Sequence, residues 1–214
     1  MDTARPLAEA LAAAQDAAGE WTPVYDDFVE GLRGHGVGKN APRVGEPFPA
    51  FSLPDAVGQY RSLDGLVADG PVVLSFNRGG WCPYCTHELR AWNELLPDLS
   101  AAGAQFAAIT PEVGGRAALM SRLLDGDAEL LCDVDHGLAL AAGLAFYVGA
   151  PLLRQYREWG LDLASIYGND SGFLPVPATF VVDREGIVTY AFVDPDFRIR
   201  AEPADVLDAV RSLG

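Results

Sequence analysis

Residues 71–99 read PVVLSFNRGGWCPYCTHELRAWNELLPDL, and this stretch decides the fold. Pro71 to Phe76 is an apolar run of strand length, the pattern of a strand buried on both faces. Asn77 to Trp81 breaks it with two glycines, and Cys82 to Leu99 reads as a helix. Strand and helix signals alternate onward from there. Ala104 to Ile109 reads as a strand, Gly114 to Leu124 as a helix, Glu129 to Cys132 as a short strand and His136 to Gly143 as a helix. Ala178 to Val182 and Ile187 to Phe192 read as a hairpin around Asp183-Arg184-Glu185-Gly186, and Pro203 to Leu213 closes with a helix. Alternation followed by a hairpin predicts an α/β fold, a mixed central sheet with helices on both faces.

Working back toward the start, Pro6 to Glu20 is Ala-rich, with Leu7, Leu11 and Ala14 at helical spacing. Pro23 to Leu32 is a second helical stretch. Gly34 to Pro42 is rich in Gly and Pro and reads as a linker. The expected division is an N-terminal helical extension at 1–40 and a main domain at 41–214. The extension is too short to fold alone; it packs on the main domain or joins a second copy as a homodimer.

The 214 residues suffice for one substantial core, and half of them are hydrophobic. A formal net charge of −15 argues against nucleic acid and against anionic membrane surfaces. The first twenty residues lack a basic segment followed by an apolar one, and no apolar run approaches a bilayer span. The expected location is cytoplasmic. Three cysteines make a poor disulfide framework, and a close pair in a reducing compartment points to catalysis or metal.

The pair is Cys82-Pro83-Tyr84-Cys85, placed where a strand ends and a helix opens. The first N–H groups of a helix lack partners and its dipole is positive there, so a thiolate is stabilised. The spacing sets both sulfurs on one face of the first turn, where one thiol resolves what forms on the other. Zinc is the competing reading, but Cys132, His35, His87 and His136 supply no second matching pair. No metal and no cofactor are expected. Cys132 reads as a core thiol. Trp81 flanks the reactive sulfur, and His87 points away from Cys85. Glu88 and Arg90 either pair with loop groups or face solvent. No role is assigned to the loop Asp194–Arg198.

The strand, Cys-x-x-Cys and helix resemble the thioredoxin fold. In that fold a proline before the hairpin strand is cis and its loop faces the cysteines. The match here is Pro177, with Thr179 two residues on and positioned to donate a hydrogen bond near the site. More broadly, Phe76 to Cys85 followed by His87-Glu88-Leu89-Arg90 resembles the peroxiredoxin-like branch of the alkyl hydroperoxide reductase/thiol-specific antioxidant family. The likeness runs over about residues 44–210. It takes in Val44-Gly45-Glu46-Pro47-Phe48-Pro49, Leu131-Cys132-Asp133-Val134-Asp135 and the long segment 144–175 before Pro177.

The resemblance implies a thiol peroxidase. A cysteine thiolate reduces a hydroperoxide, a second thiol resolves the sulfenic acid, and a donor such as thioredoxin or a glutathione-type thiol restores the dithiol. The family's Pro-x-x-x-Thr-x-x-Cys falls on Arg78, Cys82 and Cys85, so its Pro and Thr are replaced. The family's Arg near the strand after the long segment has no counterpart in Pro-Val-Pro-Ala-Thr-Phe; Arg78 or Arg90 is the candidate for that role. By thioredoxin logic Cys82 attacks; by peroxiredoxin register Cys85 does. Catalysis therefore rests on Cys82 and Cys85, with Trp81, Arg78, Pro177 and Thr179 around the substrate. A dithiol–disulfide oxidoreductase and a non-catalytic redox-sensing module are the alternatives.

Overall fold

In the computed structural model the described residues are 6–125 and 128–213. Two helices open the chain, α1 (Pro6–Ala18) and α2 (Thr22–Gly34), joined by a tight turn at Gly19–Trp21. A small hairpin follows, β1 (Ser52–Pro54) with β2 (Tyr60–Ser62), then α3 (Leu63–Val67). The main run is β3 (Val72–Phe76), α4 (Pro83–Ala101), β4 (Gln105–Thr110), α5 (Gly114–Ser121), β5 (Glu129–Cys132) and α6 (Gly137–Ala141). The long segment folds as β6 (Ala145–Tyr147), α7 (Ala150–Glu158), α8 (Leu163–Tyr167) and β7 (Phe173–Pro175), with β6 and β7 paired antiparallel. The chain finishes with β8 (Ala178–Val182), β9 (Val188–Val193) and α9 (Pro203–Arg211).

The central sheet has the order β5-β4-β3-β8-β9, with β3 parallel to β4 and antiparallel to β8. Every residue of β3 is buried, as an apolar run without alternation requires. Its side chains divide strictly by parity. Val72, Leu74 and Phe76 join the core under α2, α3, α6, α7 and α8. Val73 joins the core under α4, α5 and α9. Ser75 shares the parity of Val73 and pairs in register with Thr179 of β8, which puts two hydroxyls on the face covered by α4. The hairpin turn holds as read: the Asp183 carboxylate accepts from the Glu185 and Ile187 amides, and Gly186 supplies the positive φ of 78°.

The extension lies on the main body. Leu7, Leu11 and Val29 are buried in one cluster with Cys82, Tyr84, Cys85 and Phe197, and α1 lies against α4. Each fully buried Leu contributes roughly 1.5–3 kcal/mol to that contact. Ion pairs fasten α2 to the loop after β9: Arg198 to Asp26 at 2.6 Å and Arg33 to Asp194 at 3.5 Å.

Candidate active site

Cys82 ends the extended loop after β3, with φ −92° and ψ 113°, and Pro83 takes the first helical position of α4, where its missing N–H costs nothing. Cys85 falls in the first turn. The loop reaches this geometry through Gly79, whose φ of 128° excludes other residues and whose missing Cβ leaves room for Glu112. Glu112 in turn accepts the Gly80 amide at 3.0 Å. Both cysteines are reduced and buried, Cys82 at 1% and Cys85 at 0% exposure.

Two guanidinium groups flank the sulfurs. Arg200, in the loop after β9, donates from Nη2 to Cys85 Sγ at 3.3 Å, and the Arg78 amide donates to the same sulfur at 3.3 Å. Arg200 is fixed by Glu88 (Nε to Oε2, 2.8 Å) and by the Phe197 carbonyl (2.6 Å). Glu88 also accepts from Ser75 Oγ at 2.9 Å and from the Thr179 hydroxyl. Arg78 is enclosed between the rings of Trp81 and Phe197, 4.7 and 4.2 Å from their centroids, and donates to Tyr156 Oη at 3.1 Å. Tyr167 donates to the Arg78 carbonyl at 2.6 Å and receives the Trp81 indole N–H at 3.1 Å.

The electrostatics split the two thiols. Burial opposes a charge on Cys82, but a hydrogen bond from the Cys85 thiol and the nearby Arg78 and Arg200 outweigh it and hold Cys82 well below the ordinary thiol range. Cys85 goes the other way: burial, its bond to Cys82 and the charge on that sulfur push it well above. The two thiols are thus pushed in opposite directions, and Cys85 Sγ accepts from the Arg78 amide and the Arg200 guanidinium. Burial pushes the Glu88 carboxyl up, against the pull of Arg200 and the Ser75 hydroxyl.

A cavity of about 430 Å³ leads to Cys82. Its floor is Arg78, Trp81, Cys82 and Tyr84, its walls include Tyr156, Trp159 and Phe197, and its roof is the extension, through Ala14, Ala17, Trp21 and Tyr25. Cys85 does not line it.

Of the residues expected at the site, Cys82, Cys85, Trp81 and Arg78 come together. Pro177 does not behave as expected: the Val176–Pro177 peptide is trans, as are all described peptides. The Val176 amide bonds the Leu144 carbonyl while Ala178 pairs with Phe76, so the chain runs extended from β7 into β8. Pro177 is buried and lines no part of the cavity. Thr179 acts behind the sulfurs, through Glu88. Arg90 is exposed, so the guanidinium at Cys85 is that of Arg200 instead. His87 borders the cavity beside Pro83. Cys132 lies at the end of β5 opposite Thr110, its thiol pushed up to about 11 by burial and by Asp55 and Glu112, as befits an inert core thiol. The sequence reading missed Arg200, Tyr156 and Tyr167, which lie 115, 78 and 89 residues from their partners.

Comparison with known proteins agrees with this architecture. The AhpC/TSA family model matches residues 44–191. A Mycobacterium tuberculosis protein named "Putative peroxiredoxin Rv1608c" is 29% identical over 102 residues, which cover 48% of this chain and 66% of that protein, just under two thirds of its length. The thiol:disulfide interchange protein DsbE of Allochromatium vinosum is 28% identical over 165 residues, covering 76% of this chain and 74% of that one. Among solved structures, the peroxidoxin BcpB of Mycobacterium tuberculosis superposes with a TM-score of 0.63 at 22% identity, covering 81% of this chain and 99% of that one, which establishes the shared thioredoxin-like fold.

Proposed function

The chain belongs to the AhpC/TSA family, and from that premise we propose that it is a thiol peroxidase whose first-reacting sulfur is Cys82. The observation that carries the reading is a cysteine lining a cavity beside two buried guanidinium groups, whose charges pull its thiol below the ordinary range. The Cys82 thiolate attacks the terminal oxygen of a hydroperoxide, the O–O bond breaks, and the departing alkoxide takes a proton to leave as alcohol or water. Negative charge moves outward along that path, where Arg78 lines the cavity and stabilises it. Cys82 is then a sulfenic acid. The Cys85 thiol, already hydrogen-bonded to Cys82, displaces water from it and closes the disulfide. Two electrons from an external thiol donor reopen it.

Mixing the reduced protein with hydrogen peroxide and following tryptophan fluorescence by stopped flow tests this, since Trp81 adjoins Cys82. The expected result is a second-order change far faster than a free thiol gives. Cys82→Ser removes it, while Cys85→Ser keeps the first step and loses the disulfide. A wild-type rate equal to that of a free thiol sinks the proposal.

A second reading, disulfide exchange with other proteins, has one observation in its favour: the likeness to a thiol:disulfide interchange protein across three quarters of the chain. Against it stands the burial of both sulfurs beneath α1 and α2. Fast reduction of a protein disulfide with free-thiol reactivity toward peroxide would bring it to first place.

A further inference from the structure

We propose that the donor that reopens the Cys82–Cys85 disulfide is a low-molecular-weight thiol carrying a carboxylate, which enters the aromatic cavity and seats that carboxylate on Arg78. The inference rests on the peroxidase reading and adds the chemical class of the reductant.

The first ground is access. A disulfide is opened by in-line attack of a thiolate on one sulfur. Among the described residues the cavity is lined by Cys82 and not by Cys85, and the extension roofs it with Ala14, Ala17, Trp21 and Tyr25. Trp21 meets the opposite wall by packing on Trp159. A space of about 430 Å³ accepts a small molecule. A protein donor must instead bring a whole loop to Cys82, which is 1% exposed and packed in one buried cluster with Leu7, Leu11 and Val29 of the extension.

The second ground is charge. Arg78 is 2% exposed, and among the described residues no carboxylate pairs with it. Its Nη2 donates to the Tyr156 hydroxyl, its Nε is buried without any partner among the described residues, and its faces are covered by Trp81 and Phe197. In the reduced protein the Cys82 thiolate balances it. Disulfide formation removes that charge and leaves a buried cation facing an aromatic cavity, which is costly unless an anion replaces it. The oxidised state thus gains affinity for a carboxylate that the reduced state lacks, and the spent donor is released when the thiolate returns.

The steps balance. One thiolate attacks Cys82, forming a mixed disulfide and releasing the Cys85 thiolate, which takes a proton. A second thiolate attacks the donor sulfur and frees the Cys82 thiolate. Over the cycle two donor thiols and one hydroperoxide give one donor disulfide, one alcohol and one water.

The test uses the full chain oxidised to its disulfide with diamide, so that peroxide turnover is never measured and failure of either reading is seen separately. Re-reduction is followed by tryptophan fluorescence with 3-mercaptopropionate, 2-mercaptoethanol, cysteamine or thioredoxin, each rate taken per thiolate. The carboxylate thiol is expected to be about tenfold faster than the neutral one, from one charge-assisted bond. Cysteamine should be slowest and thioredoxin no faster than 2-mercaptoethanol. Arg78→Gln should erase the order among the small thiols. Equal rates for the three, or thioredoxin as the fastest donor, overturns the proposal. Should Arg78→Gln fail to fold, calorimetry with 3-phenylpropionate on the wild type decides: binding to the oxidised form alone supports it, and equal binding to both forms, or to neither, overturns it.

Discussion

Arg200 is the residue that gives the Cys pair its character. Its guanidinium holds Cys85 Sγ, and it is itself held by Glu88 with both side chains at 1–2% exposure. Arg200→Met should slow the peroxide reaction about 10²–10³-fold, the usual loss when one charge-stabilising donor goes. It should also cost about 3–5 kcal/mol of stability by stranding the Glu88 carboxylate. Adding Glu88→Gln should restore much of the stability and none of the rate; recovery of both would mean that Arg200 only packs. The pH profile follows from Cys82. Its pKa is depressed in the fold, so the reactive form is fully present above that pKa and is lost as pH falls through it. Between about pH 7 and 9, where an ordinary thiol titrates near ~8.5, the initial rate should stay level and should fall only in acid. A rate that climbs with the ionisation of a free thiol contradicts the assignment. The cysteines were legible because their meaning is local: a strand end, a helix start and a spacing of three. Arg200 was not, because its contacts span 112 and 115 residues and an arginine in a loop carries no pattern. Pro177 misled for the same reason, since the isomer of its peptide is set by the Leu144 carbonyl and the Phe76 register rather than by the residues beside it.

Among the elements, α1 matters beyond its length. Leu7 and Leu11, one turn apart, are buried in the cluster that covers Cys82 and Cys85. Leu7→Ala should weaken that docking by about 2–5 kcal/mol. Since α1 packs mainly on α4, the cost falls on local opening rather than on the central sheet. Iodoacetamide should then label Cys82 at least tenfold faster, by roughly 1.4 kcal/mol per factor of ten, with little change in the melting of the sheet. Unchanged labelling with an early global melt would place α1 in the core instead. Both helices of the extension were readable from Ala content and spacing, and β3 to β5, β8 and β9 from apolar runs. Within 144–175 the strands are three residues long and the helices nine and five, too short to show a period, so a paired β6–β7 with two helices between them emerged only in three dimensions.

Across the whole molecule, a net charge of −15 surrounds a site built on buried cations. The field repels anions at a distance and the cavity attracts them on contact. Salt screens the first over about 8–10 Å and leaves the second largely intact. The rate with an anionic thiol should therefore rise with ionic strength, while that with hydrogen peroxide should not change; the same stopped-flow traces at low and high salt report both. A falling rate with the anionic thiol would mean that the cavity mouth is locally positive.

The separation between Cys85 and Arg200 also orders events during synthesis. Cys85 leaves the ribosome 115 residues ahead of the arginine, a lag of roughly 6–23 s at about 5–20 residues per second. Through that interval the thiols sit on a nascent chain with no guanidinium from Arg200 beside them and no completed sheet behind them. If the pair reacts as proposed, its sensitivity to oxidants is switched on by a loop made well after it, so the growing chain passes that interval as an ordinary dithiol.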